Sequence, residues 1–322
     1  MNSSTIHHVN TGLIIFSCII AFFVPFELFL FSYGVLGPLH YLTEIGWLHK
    51  KSYFTKGKYD FLILVATCVI MVYFNFNPTK QSTGYLPDLI AFGLLSSVAF
   101  VLMKDWLYRM AVLILAVISI SYLNDANTYF TWIAIFLPTI IHVFIFTWMF
   151  MLYGTLKERS WPGIISILTL IACAVVIFVV QPQGLFYQVS EYSQKSYSLF
   201  AELNVRLIQF FRMDELTSVD QVYTSNAGFV IMRFIAFAYT YHYLNWFSKT
   251  SVIKWHLVPK KTLIATIVLW LLSIALYAYD YNKGLKVLFF LSFLHVYLEF
   301  PLNITSFMGI GRELSSLGKS RA

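Results

Sequence analysis

Hydrophobic residues form nine long runs that contain few charged side chains. The runs cover about 13–36, 60–76, 86–103, 107–123, 129–153, 162–181, 227–247, 262–280 and 285–305. A run of about 18 or more apolar residues is long enough for a helix that crosses a bilayer. The pattern predicts an all-α, polytopic membrane protein with about nine transmembrane helices, in a single integral membrane domain over 1–322.

Two segments depart from this pattern. Apolar character continues past Tyr33 through "GVLGPLHYLTEIGWL", where Gly34, Gly37 and Pro38 predict a kink or tilt that keeps His40 near the membrane edge. The only long polar connection is 182–225. Within it, "YSLFAELNVRLIQFF" has apolar residues at helical spacing, so this loop is expected to carry an interfacial amphipathic helix.

Composition and charge predict a membrane location and an orientation of the chain across the membrane. The chain is 59% hydrophobic and 11% charged, whereas a soluble domain carries about 25% charged residues. Fifteen Lys and Arg residues lie on one side of the predicted membrane and six on the other. The positive-inside rule places the N-terminus and the 182–225 loop outside and the C-terminus in the cytoplasm. This bias accounts for the net charge of +7 without a nucleic-acid partner.

Two short segments repeat the same pair of polar residues. "LHYLTE" contains His40 and Glu44, and "LHVYLE" contains His295 and Glu299. Residues four apart share one face of a helix, so each pair can point into one cavity. A carboxylate near the bilayer centre costs on the order of 3 kcal/mol, which favours a compensating partner such as a metal ion.

Two more histidines, His142 and His242, lie in the fifth and seventh runs. With the predicted topology, the odd-numbered helices run in the same direction, which places four imidazoles at a similar depth. Imidazole and carboxylate are the ligands of non-haem iron. We therefore predict one or two Fe(II) ions. The candidate ligands are His40, His142, His242, His295, Glu299 and Glu44.

Neighbouring residues complete the candidate site. The predicted surrounding shell or substrate pocket contains Asn245, Trp246, Tyr241, Phe146 and His256. Three alternatives remain for single residues: His side chains that only bond between helices, Glu44 paired with a loop lysine, and an interfacial His256. For the whole chain, the main alternative is a proton-coupled transporter that uses intramembrane His and Glu. Two others are a haem protein with paired axial histidines and a membrane scaffold without chemistry.

Four segments resemble the Brp/Blh family of bacterial membrane proteins, which cleave β-carotene to retinal. "GPLHYLTE" is similar to the family's Gly-x-Pro-His-Gly-x-x-Asp, and "TIIHVF" to its Ile-Ile-His-Phe. "TYHYLNW" stands where the family has His-x-x-x-His, and "FLHVYLEF" resembles its Pro-His-x-x-x-x-Asp-Phe. The order of the four segments also agrees.

The resemblance implies a helical fold around one non-haem iron, with His40, His142 and His242 as ligands. It also implies a bacterial inner-membrane location, a lipid-fed tunnel, and oxidation of a carotenoid-like substrate by O₂, through cleavage or hydroxylation. This sequence departs from the family at Trp246, where the fourth histidine would fall, and at Phe146, where an Asp would fall. His295, Glu299 or Glu44 would have to replace the missing ligand.

Overall fold

The structure, a computed structural model, describes residues 3–122, 126–180, 187–214, 218–249, 253–254 and 257–319. These residues form helices and no strand, which confirms the all-α class. The α-helices are α1 (Ser3–Phe23), α2 (Pro25–Phe31), α3 (Gly37–Lys50), α4 (Asp60–Phe76), α5 (Lys80–Gly84), α6 (Leu86–Leu102), α7 (Trp106–Tyr122), α8 (Ala126–Phe130), α9 (Thr147–Glu158), α10 (Trp161–Val179), α11 (Glu191–Tyr197), α12 (Ala201–Phe210), α13 (Gln221–Thr224), α14 (Asn226–Ser248), α15 (Lys260–Tyr279) and α16 (Tyr281–Lys319). There are also two π-helices, Ser32–Leu36 and Thr131–Phe146, and two 3₁₀ turns, Ser52–Phe54 and Ser198–Phe200.

Six helices of the described chain are long and apolar enough to cross a membrane. They are Ser4–Phe23, Gln81–Leu102, Thr128–Glu158, Trp161–Val179, Lys260–Tyr279 and Tyr281–Ser316. The helices Asp60–Phe76 and Trp106–Ile120 are apolar but shorter. Helix α14, at the seventh predicted run, is not among the six and carries polar residues such as Arg233, His242 and Asn245. Six such helices indicate an integral membrane protein.

The first predicted run, 13–36, is not one helix. Helix α1 begins at Ser3 and ends at Phe23, and Val24 has non-helical dihedral angles (φ −139°, ψ 60°). The cause is Pro25, since the residue before a proline is disfavoured in the helical conformation. Further along, where a kink was predicted, the backbone forms the π-helix Ser32–Leu36. Pro38 offers no N–H to the preceding turn. Separately, the Trp270 indole donates to the Val35 carbonyl at 2.7 Å.

The chain divides into two compact units. Unit 1 comprises Met1–His40 and Val143–Lys286. Its centre is α14, which is buried over most of its length and packs against α1, α2, α10, α12 and α13. A helix that is buried on nearly every side needs neighbours all round it. Helix α12 lies within the segment predicted to form an interfacial amphipathic helix, and its Leu203, Leu207 and Ile208 are buried. The interfacial role of this segment stays a prediction.

Unit 2 comprises Tyr41–His142 and Val287–Ala322. Within it α6 packs against α4 and α7. Helix α6 also approaches α16 closely at Gly93, where an added Cβ would lie only 2.7 Å from the Tyr297 ring. The glycine makes room for this buried tyrosine, which lies two residues from His295 and from Glu299. Close packing therefore holds the part of α16 that carries the candidate ligands.

Candidate metal centre

In unit 1, His40 and His242 form a contacting pair. His40 lies in the first turn of α3, directly after the π-helix, and His242 lies on α14. Their Nε2 atoms are 3.1 Å apart, and the two side chains are 1% and 6% exposed. Gly37 lets the start of α3 approach α14, because a Cβ there would lie 3.3 Å from the Tyr243 hydroxyl oxygen. The two helices thus bring two imidazole nitrogens together away from solvent.

A hydroxyl group and two aromatic rings contact this first pair. The second ring nitrogen of His242, Nδ1, lies 2.8 Å from the hydroxyl of Thr147. The His40 ring packs against Tyr243 and Trp246, with ring centroids 5.2 and 5.3 Å away. Trp246 therefore stands beside His40 as an apolar wall.

In unit 2, His142 and His295 form a second contacting pair. His142 lies in the π-helix Thr131–Phe146, which contains Pro138, and His295 lies on α16. Their Nε2 atoms are 3.2 Å apart, and the side chains are 2% and 5% exposed. A proline inside a helix removes a regular backbone bond, and π-helical turns occur frequently at functional sites.

A carboxylate adjoins the second pair. Oε2 of Glu299 lies 3.3 Å from Nδ1 of His142, and Glu299 is 1% exposed. The ring of Tyr41 lies against His295, with centroids 5.8 Å apart. Glu299 was predicted as a ligand; in the structure its carboxylate contacts the outer nitrogen of His142, Nδ1.

The four histidines together form a group that can hold a metal ion. One ligand nitrogen from each of His40, His142, His242 and His295 lies within 4.8 Å of all the others. Among the described residues, the group consists of these histidines, without Glu44 or Glu299. Four of the six predicted ligands therefore come together in one place.

The donor set fits a metal. Two nitrogens bound at about 2.1 Å to one ion, at angles between 90° and 110°, are about 3.0–3.4 Å apart, and the observed pairs at 3.1 and 3.2 Å fall within that range. The wider separations, up to 4.8 Å, would have to shorten for one ion to contact all four nitrogens. Neutral imidazole is the form that binds metals. The same Nε2 distances also suit an N–H···N hydrogen bond, so the pairs can share a proton or a cation.

The remaining predicted residues lie in different surroundings. Glu44 is 2% exposed, one turn after His40 on α3. The Tyr241 hydroxyl lies 3.3 Å from Oδ1 of Asn10 and 3.2 Å from the sulfur of Met151. Asn245 is buried, and its Oδ1 makes no hydrogen bond to a described residue. Phe146 is the last residue of its π-helix and is half-buried. His256 lies outside the described residues.

Sequence reasoning missed one residue that contacts a histidine, Thr147, and one buried amide further along α16, Asn303. Thr147, which contacts His242, has no distinguishing sequence signal, because threonine is common in apolar helices. Asn303 did have a sequence signal, because it lies four residues after Glu299 and so on the same helix face as His295 and Glu299. Asn303 is 3% exposed, and its amide makes no hydrogen bond to a described residue. Buried polar groups are normally paired with protein or water, so a polar ligand or water fits beside it.

Comparison of the chain with protein-family models, curated proteins and solved structures gave no match. The functional argument therefore depends on the histidine group itself.

Proposed function

We propose that this chain is a membrane-embedded non-haem iron oxygenase that acts on a lipophilic substrate. The observation that carries the proposal is the buried group of four histidines, whose ligand nitrogens all lie within 4.8 Å of one another. Four imidazoles inside apolar helices are costly unless they have a shared partner. Iron(II) is a suitable partner because imidazole is among its preferred ligands.

Bound iron would supply the activation of O₂. The chain's own residues would hold and orient the ligands. Glu299, whose Oε2 lies 3.3 Å from Nδ1 of His142, would leave the lone pair of Nε2 available for a metal, and a carboxylate partner of this kind raises the basicity of the ligand. Thr147 plays the matching role at Nδ1 of His242. Tyr243 and Trp246 cover the His40 ring and exclude water from it.

The lipid surroundings support the choice of substrate. A site buried among apolar helices is accessible to molecules dissolved in the bilayer and to O₂, which partitions into lipid. We propose carotenoid-like cleavage or hydroxylation, on the resemblance of the four histidine segments to the Brp/Blh family. The proposed partners are therefore a lipophilic small molecule, O₂ and membrane lipid, without nucleic acid.

The proposed topology has nine membrane crossings, with the N-terminus outside and the C-terminus in the cytoplasm of a bacterial inner membrane. The six long apolar helices supply part of this count. The two shorter apolar helices, Asp60–Phe76 and Trp106–Ile120, and the buried helix α14 supply the other three. The distribution of fifteen against six basic residues supports the orientation.

Elemental analysis of the full-length protein, purified in detergent without chelators, tests the proposal. We expect about one iron per chain in the protein as purified, or about one per chain after reconstitution with anaerobic Fe(II). His142→Ala should lose the iron, whereas His49→Ala should keep it, because His49 is exposed and its ring nitrogen bonds to the Tyr53 hydroxyl. Stoichiometric zinc that Fe(II) cannot replace would contradict the oxygenase and keep the metal site. A chain that binds no metal would favour the alternative of a proton-coupled transporter.

A further inference from the structure

A second candidate site lies in unit 1, away from the histidines. A cavity of about 300 Å³ is lined on its apolar walls by Leu30, Val35, Ile274 and Tyr277. Its volume is at the lower end of the range of about 300–1,000 Å³ that is typical of small-molecule sites. The single acidic residue in its described lining is Glu27, in the first turn of α2. The cavity is thus an apolar space with one carboxylate.

The Glu27 carboxylate is held by hydroxyl groups. Tyr187 donates to Oε2 at 2.5 Å, and Ser193 donates to Oε1 at 2.8 Å. Ser193 is itself held by Ser190, which caps helix α11. These two donors fix the carboxylate in one orientation and leave a further acceptor position on each oxygen.

No basic residue neutralises this carboxylate in the part of the chain that the structure describes. None of the cavity-lining residues is Lys, Arg or His, and Glu27 has no ion pair among the described residues. A partly buried carboxylate gains from a cation placed against it. The lining therefore favours a positive group in the cavity and disfavours a phosphate, which would lie beside the carboxylate without a basic partner.

We infer that this cavity binds an amphiphile with an ammonium head and an apolar tail, with the head at Glu27 and the tail between α2 and α15. The inference is independent of the histidine group and of its metal. A molecule with a hydroxyl head can bond to the same carboxylate but adds no charge. A molecule with a sulfate or phosphate head is repelled.

Binding to the full chain in phosphatidylcholine nanodiscs tests the inference. The probes are decylammonium, decanol and decyl sulfate, each titrated calorimetrically against empty nanodiscs as the reference for partition into lipid. We expect a saturable site for decylammonium that is about tenfold tighter than the site for decanol, the effect of about one partly buried charge pair. Decyl sulfate should show no binding above the reference.

Two variants and a control separate the cavity from other surfaces. Glu27→Gln keeps the side-chain shape and should reduce the decylammonium affinity to that of decanol. Ala278→Phe adds a ring to the cavity wall and should weaken both probes while Glu27 stays intact. Glu191→Gln, an exposed carboxylate beside the cavity-lining residues of α11, should change nothing. Equal affinity for decylammonium in Glu27→Gln and in the unmodified chain, or no saturable site at all, would overturn the inference.

Discussion

The two histidine pairs have nearly the same internal distance and different surroundings. The His40/His242 pair of unit 1, at 3.1 Å, has a threonine hydroxyl at its outer nitrogen and aromatic rings on its flank. The His142/His295 pair of unit 2, at 3.2 Å, has a buried carboxylate at its outer nitrogen.

This difference indicates how the charge of a divalent cation would be distributed. Four neutral imidazoles leave the charge of such an ion uncompensated in an apolar interior, and burial of an unpaired charge is costly. An ionised Glu299 would supply one negative charge beside His142, whereas the Thr147 hydroxyl would orient His242 without adding charge. Loss of the carboxylate should therefore weaken a metal more than loss of the hydroxyl.

The largest effect is expected when one imidazole is removed from each pair. His40→Ala and His295→Ala should each reduce bound metal to less than about one tenth, because one ion that uses all four nitrogens loses a strong donor in both variants. Elemental analysis of the purified variants gives the measurement. If only one of the two variants lost metal, the metal would be bound by the pair that contains the substituted histidine. The second pair would then be a structural hydrogen bond, and the site would have two histidine ligands.

A smaller effect is expected for the carboxylate. Glu299→Gln keeps the shape and removes the charge, so the metal affinity should fall about 10- to 100-fold, the usual range for partners of metal-bound histidine. The measurement is a competitive titration with a chelator of known affinity. Glu44→Gln is the matched control, because Glu44 is also buried and also lies four residues after a histidine. If Glu44→Gln lost more metal affinity than Glu299→Gln, the compensating charge would lie on α3 and the proposed role of Glu299 on α16 would be incorrect.

The smallest effect is expected for the hydroxyl. Thr147→Val should weaken metal binding by about tenfold or less, because a neutral partner orients His242 without neutralising the metal. Thr147→Ser should restore the affinity, since serine keeps the oxygen. Thr155→Val, at a buried threonine on the same helix, should have no effect. If Thr147→Val weakened the metal more than Glu299→Gln, the proposed distribution of charge would be incorrect.

The histidine group could be predicted from the sequence because its members stand out chemically. Imidazoles are rare in apolar helices, and the repeated His-x-x-x-Glu spacing indicates shared helix faces. The identity of the outer partners could not be predicted. Glu299 lies one turn from His295 along α16, yet its carboxylate reaches His142, which is a tertiary contact that spacing along one helix does not reveal.

Backbone irregularities were harder to predict. Pro25 marks the break after α1, but the apolar run on both sides of it favoured one long helix. The two π-helices, one directly before His40 and one around His142, have no strong compositional signature, since an apolar segment can form either type of turn. Helix α14 was predicted as a membrane span because its run is long and apolar. In the structure, neighbouring helices bury most of its residues.

The central claim is that one metal ion is bound by four histidines. X-ray absorption at the metal edge of the chelator-free, full-length protein tests it most directly. We predict a single metal environment with about four imidazole nitrogens at about 2.0–2.2 Å and no sulfur ligand, consistent with the four histidine nitrogens that lie within 4.8 Å of one another. A spectrum with two or fewer imidazoles, or with oxygen ligands alone, would contradict the account.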